Sequence, residues 1–133
     1  MLLLDTSGWI EYLRDTGSAA CEEVARLVLD PESLATTEPI IMELLAGATS
    51  TIALRELETL TAGLVLLGVD VRVDYHHAAA LHRSVRSAGR TVRRMNDCLI
   101  AAVALRTGTT LAHRDSDFDA IADAVGLDTR RLG

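Results

Sequence analysis

The chain has 133 residues, 49% hydrophobic and 24% charged, which is the size and composition of one globular domain over residues 1–133 and excludes a fibrous or disordered chain. No apolar run approaches the ~20 residues of a membrane span, and Met1-Leu2-Leu3-Leu4-Asp5 has no basic stretch ahead of its apolar residues, so a cytoplasmic protein with no membrane partner is expected. The net charge of −6 argues against a general polyanion binder, yet it is unevenly spread: Arg83, Arg86, Arg90, Arg93 and Arg94 fall between Tyr75 and Asn96 without one acid.

In chain order, Leu2-Leu3-Leu4 reads as a buried strand ending at Asp5, and Ser7 as the N-cap of a helix over Trp9–Arg14. Ala19–Leu29 is a second helix, with Val24, Leu27 and Val28 at helical spacing. A short strand over Ser33–Thr36 leads into Thr37-Glu38-Pro39, a helix start that tolerates proline in its first turn, and Glu43 lies inside that helix. Helices are expected over Ala53–Thr61 and Tyr75–Ala88, with a strand within the apolar stretch Leu64–Val71. Asn96 is read as the cap of an apolar helix Asp97–Arg106 that Gly108 ends. Thr109–Ala112 is a strand, Asp117–Val125 a helix ended by Gly126, and Leu127–Leu132 contains a last strand. This alternation predicts an α/β fold with a mainly parallel sheet, whose ligands bind beyond the carboxyl ends of the strands, where Asp5 and Asp115 fall.

Cys21 and Cys98 are the only cysteines and form no C-x-x-C, which sets aside a disulfide framework and reads both as reduced core residues. His76, His77, His82 and His113 include no i, i+4 pair, which sets aside a zinc site. All basic residues are arginine. Without lysine there is no Walker-type phosphate loop and no phosphoacceptor receiver domain, and Ser7 stands where a haloacid-dehalogenase-like phosphatase needs its second Asp. No G-x-S-x-G elbow supports a serine hydrolase. Trp9 reads as core, and 3% aromatic residues make stacking-led recognition of single strands unpromising.

Several carboxylates sit against apolar sequence: Asp5 after the first strand, Glu43 in Ile40-Ile41-Met42-Glu43-Leu44-Leu45, Asp97 before Leu99-Ile100, and Asp115 and Asp117 beside Phe118. Each alone reads equally as a helix-start or loop acid. Together they point to one sheet edge, and partly buried carboxylates that converge need a cation, for which hard ions such as Mg2+ or Mn2+ suit an all-oxygen set.

The segments Leu3-Leu4-Asp5-Thr6-Ser7-Gly8-Trp9-Ile10, Glu43 in its helix, Asn96-Asp97-Cys98-Leu99-Ile100-Ala101-Ala102 and His113-Arg114-Asp115-Ser116-Asp117-Phe118 resemble, in order and over nearly the whole chain, the four motifs of PIN-domain VapC toxins of bacterial toxin–antitoxin pairs. The resemblance implies a PIN-like α/β/α fold and a metal-dependent endoribonuclease acting on tRNA or another structured RNA. Asp5, Glu43, Asp97 and Asp115 match the acidic quartet that holds Mg2+ or Mn2+ and carries catalysis, and Asp117 matches a frequent fifth metal-binding acid. One departure is His113, where the family often has Thr or Asn.

Thr6 and Ser7 are candidates for supporting a ligand carboxylate or a metal-bound water, or for capping a helix, and Asn96 is a third supporting residue. The five arginines are candidates for RNA phosphates or for a solvated helix face, depending on whether the helix persists past Gly89. The partners implied by the resemblance are an RNA substrate, a VapB-type antitoxin that places a basic side chain among the acids, and a second copy in a homodimer. The competing class is a PIN-like module that binds RNA or protein without cutting.

Overall fold

A computed structural model describes residues 1–133. Its five strands, β1 (Leu2–Leu4), β2 (Leu34–Thr36), β3 (Val65–Leu66), β4 (Thr110–His113) and β5 (Thr129–Arg131), form one sheet in the order β3-β2-β1-β4-β5. Every pairing is parallel, with Leu3 opposite Ala35 on one side and Leu111 on the other. The central strands are apolar because both their faces are covered, as expected for a parallel sheet. Seven helices cover it: α1 (Thr6–Leu13), α2 (Ala19–Val28), α3 (Glu38–Ala46), α4 (Thr51–Ala62), α5 (Asp74–Ser87), α6 (Met95–Thr107) and α7 (Ser116–Val125), with a single 3-10 turn over Pro31–Ser33. No helix is long and apolar enough to cross a membrane.

The strand order places the site. From β1 the chain winds outward through β2 to β3, then returns to the other side of β1 as β4, so the crevice between the carboxyl ends of β1 and β4 is a topological switch point. Asp5 follows β1 there, its N–H donating to Ala112 O at 2.9 Å. Residues 98–104 of α6 are buried without interruption, which explains the all-round apolar sequence of this helix. A bidentate pair from Arg106 to Asp74, both bonds 2.9 Å, ties the end of α6 to the start of α5. Trp9, Cys21 and Cys98 are buried, both cysteines are free, and no histidine takes part in a candidate metal cluster.

Three sequence expectations need correction. The first helix starts at Thr6 with Asp5 as its N-cap, because the Asp5 carboxylate, not the Ser7 hydroxyl, accepts the free first-turn N–H. Asn96 does not cap α6; the N-cap position belongs to Arg94, without a side-chain hydrogen bond, and Asn96 lies inside the first turn. Finally, α5 stops at Ser87, and Gly89 takes φ +84°, so the helix does not continue through Arg90, Arg93 and Arg94 and no five-arginine face exists.

Candidate active site

The crevice gathers all five acids singled out by the sequence. Carboxylate oxygens of Asp5, Glu43 and Asp97 lie within 4.8 Å of one another, and so do those of Asp97, Asp115 and Asp117. Asp97 is the corner shared by the two triads, an arrangement that residue spacing alone does not reveal.

Each acid is positioned by local structure. Asp5 is 4% exposed, and its Oδ2 accepts the Ser7 N–H at 2.9 Å and the Ser7 hydroxyl at 2.6 Å. The same hydroxyl accepts the Arg114 N–H at 2.9 Å, so one serine joins the ends of β1 and β4. Glu43 projects from α3, and its Oε1 accepts from Asn96 Nδ2 at 2.8 Å; that amide also reaches Pro39 O at 3.3 Å. Asp97 sits in the first turn of α6 at 3% exposure. Asp115 caps α7, with Oδ1 accepting the Asp117 N–H at 2.9 Å, and its own N–H donates to His113 Nδ1 at 3.1 Å. Thr6 has a buried hydroxyl without a hydrogen-bond partner.

Bringing these groups together disfavours their ionisation. Burial, ahead of the neighbouring Asp5, Asp115 and Glu43, pushes the Asp97 carboxyl up to about 7. Burial also raises Asp5 and Glu43, the latter further because it faces Asp5. Asp5 Oδ1 and Asp97 Oδ2 are buried with no hydrogen-bond partner. Such orphaned oxygens, in an all-carboxylate set, suit a divalent cation bound by oxygen.

The arginines divide. Arg83 and Arg86 stay exposed on α5, and Arg90 pairs with Asp123 of α7 at 3.0 Å. Only Arg93 and Arg94 reach the acids: Arg93 pairs with Asp115 and Asp117 at 3.3 and 3.1 Å, and Arg94 Nη1 lies 3.7 Å from Glu43. The sequence marked them as basic residues near Asp97 but carried no sign that they turn back onto the carboxylates.

A family model described as the PIN domain matches residues 2–124. Ribonuclease VapC11 of Mycobacterium tuberculosis is 49% identical over 128 residues, 96% of this chain and 96% of that protein. A solved structure of VapBC-5 from Mycobacterium tuberculosis, a member of the VapBC family of toxin-antitoxin systems, is similar with TM-score 0.67 and 28% identity, covering 98% of this chain and 97% of that one. VapBC2 from Rickettsia felis, solved bound to a DNA fragment from its promoter, shares the fold with TM-score 0.76 at 14% identity, covering 99% of this chain and 98% of that one.

Proposed function

The chain belongs to the PIN-domain family, and from that premise we propose that it is the ribonuclease toxin of a toxin–antitoxin pair, cutting RNA with Mg2+ or Mn2+ held by Asp5, Glu43, Asp97, Asp115 and Asp117. The observation that carries the reading is the pair of buried, unpartnered oxygens, Asp5 Oδ1 and Asp97 Oδ2, within the two carboxylate triads. Two orphaned acceptors in an anionic crevice cost folding free energy that a bound divalent cation would offset at neutral pH. The 49% identity to a VapC ribonuclease supports the same conclusion.

Asp5, Glu43, Asp97, Asp115 and Asp117 would hold a hard cation, which would supply an activated water and offset negative charge developing on the leaving oxygen. The chain's own residues hold the acids in place. Ser7 engages Asp5 Oδ2 and leaves Oδ1 without a donor from the protein, and Asn96 fixes Glu43 against α6. Because the Ser7 hydroxyl donates to Asp5 while accepting from Arg114, it acts as a positioning group and not as a nucleophile.

The partners follow from the same reading. A groove of about 570 Å³ between α1, α3 and α4 is lined by Ile10, Leu13, Leu44, Leu57 and Leu60 and has Glu43 in its wall. It offers an apolar seat for a segment of a VapB-type antitoxin, from which a basic side chain reaches the acids. The exposed Met42, Val71 and Tyr75, around a second hollow, are the surface this reading assigns to a second copy in a homodimer.

The test is incubation of purified protein with total RNA in Mg2+ or in EDTA, beside Asp97→Asn and Asp117→Asn. Cleavage is expected in Mg2+ only. Asp97→Asn is expected to lose more than the ~10–100-fold typical of an outer supporting partner, and Asp117→Asn to stay within that range. Sequencing the new ends tells tRNA from another structured RNA. Wild-type cleavage rates in a folded Asp97→Asn protein refute the proposal.

A further inference from the structure

The chain's own cations serve the two carboxylate triads unequally. Arg93 lies in the link between α5 and α6, and its backbone N–H and Nε donate to Asp117 Oδ2 at 3.3 and 3.1 Å while Nη2 donates to Asp115 Oδ1 at 3.3 Å. The Asp5–Glu43–Asp97 triad receives only Arg94, 3.7 Å from Glu43 Oε2, and holds the orphaned Asp5 Oδ1, while the orphaned Asp97 Oδ2 belongs to the corner that both triads share. The Asp115–Asp117 half therefore already holds a cation that the chain supplies, and a divalent ion at the shared Asp97 corner would compete with it for the same carboxylates.

The attachment of that cation is reversible by construction. The Arg93 side chain is 65% exposed, and its guanidinium makes hydrogen bonds to these two carboxylates alone. An exposed guanidinium regains hydration on leaving, so little holds it against a competitor of higher charge. Its planar fork matches a phosphate as well as a carboxylate.

Resting on the metal-dependent ribonuclease reading, we infer that Arg93 is a tethered counter-cation of the Asp115–Asp117 half, displaced by the incoming divalent ion and thereby delivered to the RNA backbone. Arg93 then performs two successive tasks. Without metal it neutralises two acids that would otherwise repel each other and the substrate. With metal it becomes a phosphate ligand at the mouth of the crevice. Metal and nucleic acid consequently favour each other's binding, and by linkage the coupling is equal in both directions.

The first arm of the test is a Mn2+ titration without nucleic acid, read by loss of the free-ion electron paramagnetic resonance signal. Arg93→Gln is expected to take up Mn2+ on the order of fivefold more tightly than wild type, the size of one partly exposed ion pair removed. Arg93→Lys, which keeps the charge but not the fork, should fall between them. Arg90→Gln, which changes net charge equally but whose partner is Asp123, should match wild type. Equal Mn2+ affinity in wild type and Arg93→Gln overturns the role of Arg93 alone, whereas uptake by neither protein overturns the metal site as well.

The second arm is anisotropy of a labelled DNA oligonucleotide, used as a phosphate-backbone probe and verified intact on a gel. In Mn2+ the slope of log affinity against log salt should be about one smaller for Arg93→Gln than for wild type. In EDTA the slopes should coincide. Coinciding slopes in both conditions overturn the delivery of Arg93 to phosphate.

Discussion

His113 ends β4 with two ring nitrogens in different situations. Nδ1 accepts the Asp115 N–H, so the proton of the neutral ring sits on Nε2, which is buried 3.6 Å from Asp119 Oδ1 and makes no hydrogen bond. Burial lowers the imidazole pKa, ahead of the opposing pull of Asp119, and the ring stays neutral. The acceptor on Nδ1 thus sets the backbone from which Asp115 caps α7 and faces the crevice. Asn keeps an acceptor near the same place; Leu keeps bulk only. His113→Leu is expected to leave the Asp115 N–H unsatisfied, at roughly 1–3 kcal/mol, and to weaken Mn2+ binding by about tenfold or more. His113→Asn should retain most of that affinity. Urea melts and Mn2+ titrations of both variants check this, and wild-type Mn2+ affinity in His113→Leu would reduce the ring to packing against Phe118.

At the scale of elements, α1 approaches the sheet closely because residue 8 is glycine. A Cβ there would come 2.6 Å from Cδ1 of both Leu4 and Leu132. Both leucines are buried, so their methyl groups have little space to retreat into. Helix propensity favours alanine by about 1 kcal/mol, and overpacking costs about 1–3 kcal/mol, so the clash wins. Gly8→Ala is expected to lose roughly 1 kcal/mol, or about 4 °C in melting temperature, and to reduce cleavage because the helix that shifts carries Ser7. A melt at or above wild type would mean that the leucines repack freely.

Hydrophobic pattern made the elements legible, since Leu2-Leu3-Leu4 and the unbroken apolar run of α6 have few other places to go. The acids stood out for a related reason: Asp5 and Asp97 interrupt buried sequence. Polar side chains at helix starts were harder to read, because Asn96 can cap a helix or bridge to Glu43, and only the packing of α3 against α6 decides between them. The arginines were hardest. Whether Arg93 belongs to a stripe or to the crevice turns on the positive φ of Gly89, a backbone choice that residue spacing does not report.

For the whole molecule, the crevice sets how stability varies with pH and metal. Asp5, Glu43 and Asp97 all have pKa values raised above their ordinary 3.8 and 4.5, Asp97 to about 7. A carboxyl raised in this way binds more protons folded than unfolded. Its contribution to stability is therefore fully present below the unfolded pKa and is lost as pH rises through the folded one. Glu11, held low mainly by the Thr16 hydroxyl, runs the other way, as does Asp74, where burial is the largest single influence but Arg106 and the Asp70 N–H together overcome it; both lose their contributions as pH falls through their lowered values. The metal-free melting temperature should thus decline from about pH 4 to pH 7. On the proposed metal reading, Mg2+ should offset the decline by RT ln(1 + [L]/Kd), about 2.7 kcal/mol at 100 Kd and roughly 10 °C for a chain of this size. Asp97→Asn removes the carboxyl that burial and its acidic neighbours push up to about 7. It should melt higher than wild type in EDTA at pH 7, flatten the pH dependence and shrink the Mg2+ shift, so that stability rises as cleavage is lost. Thermal melts of both proteins from pH 4 to 8, in Mg2+ and in EDTA, measure all three effects, and a variant that melts below wild type in EDTA at pH 7 would make Asp97 a structural residue instead.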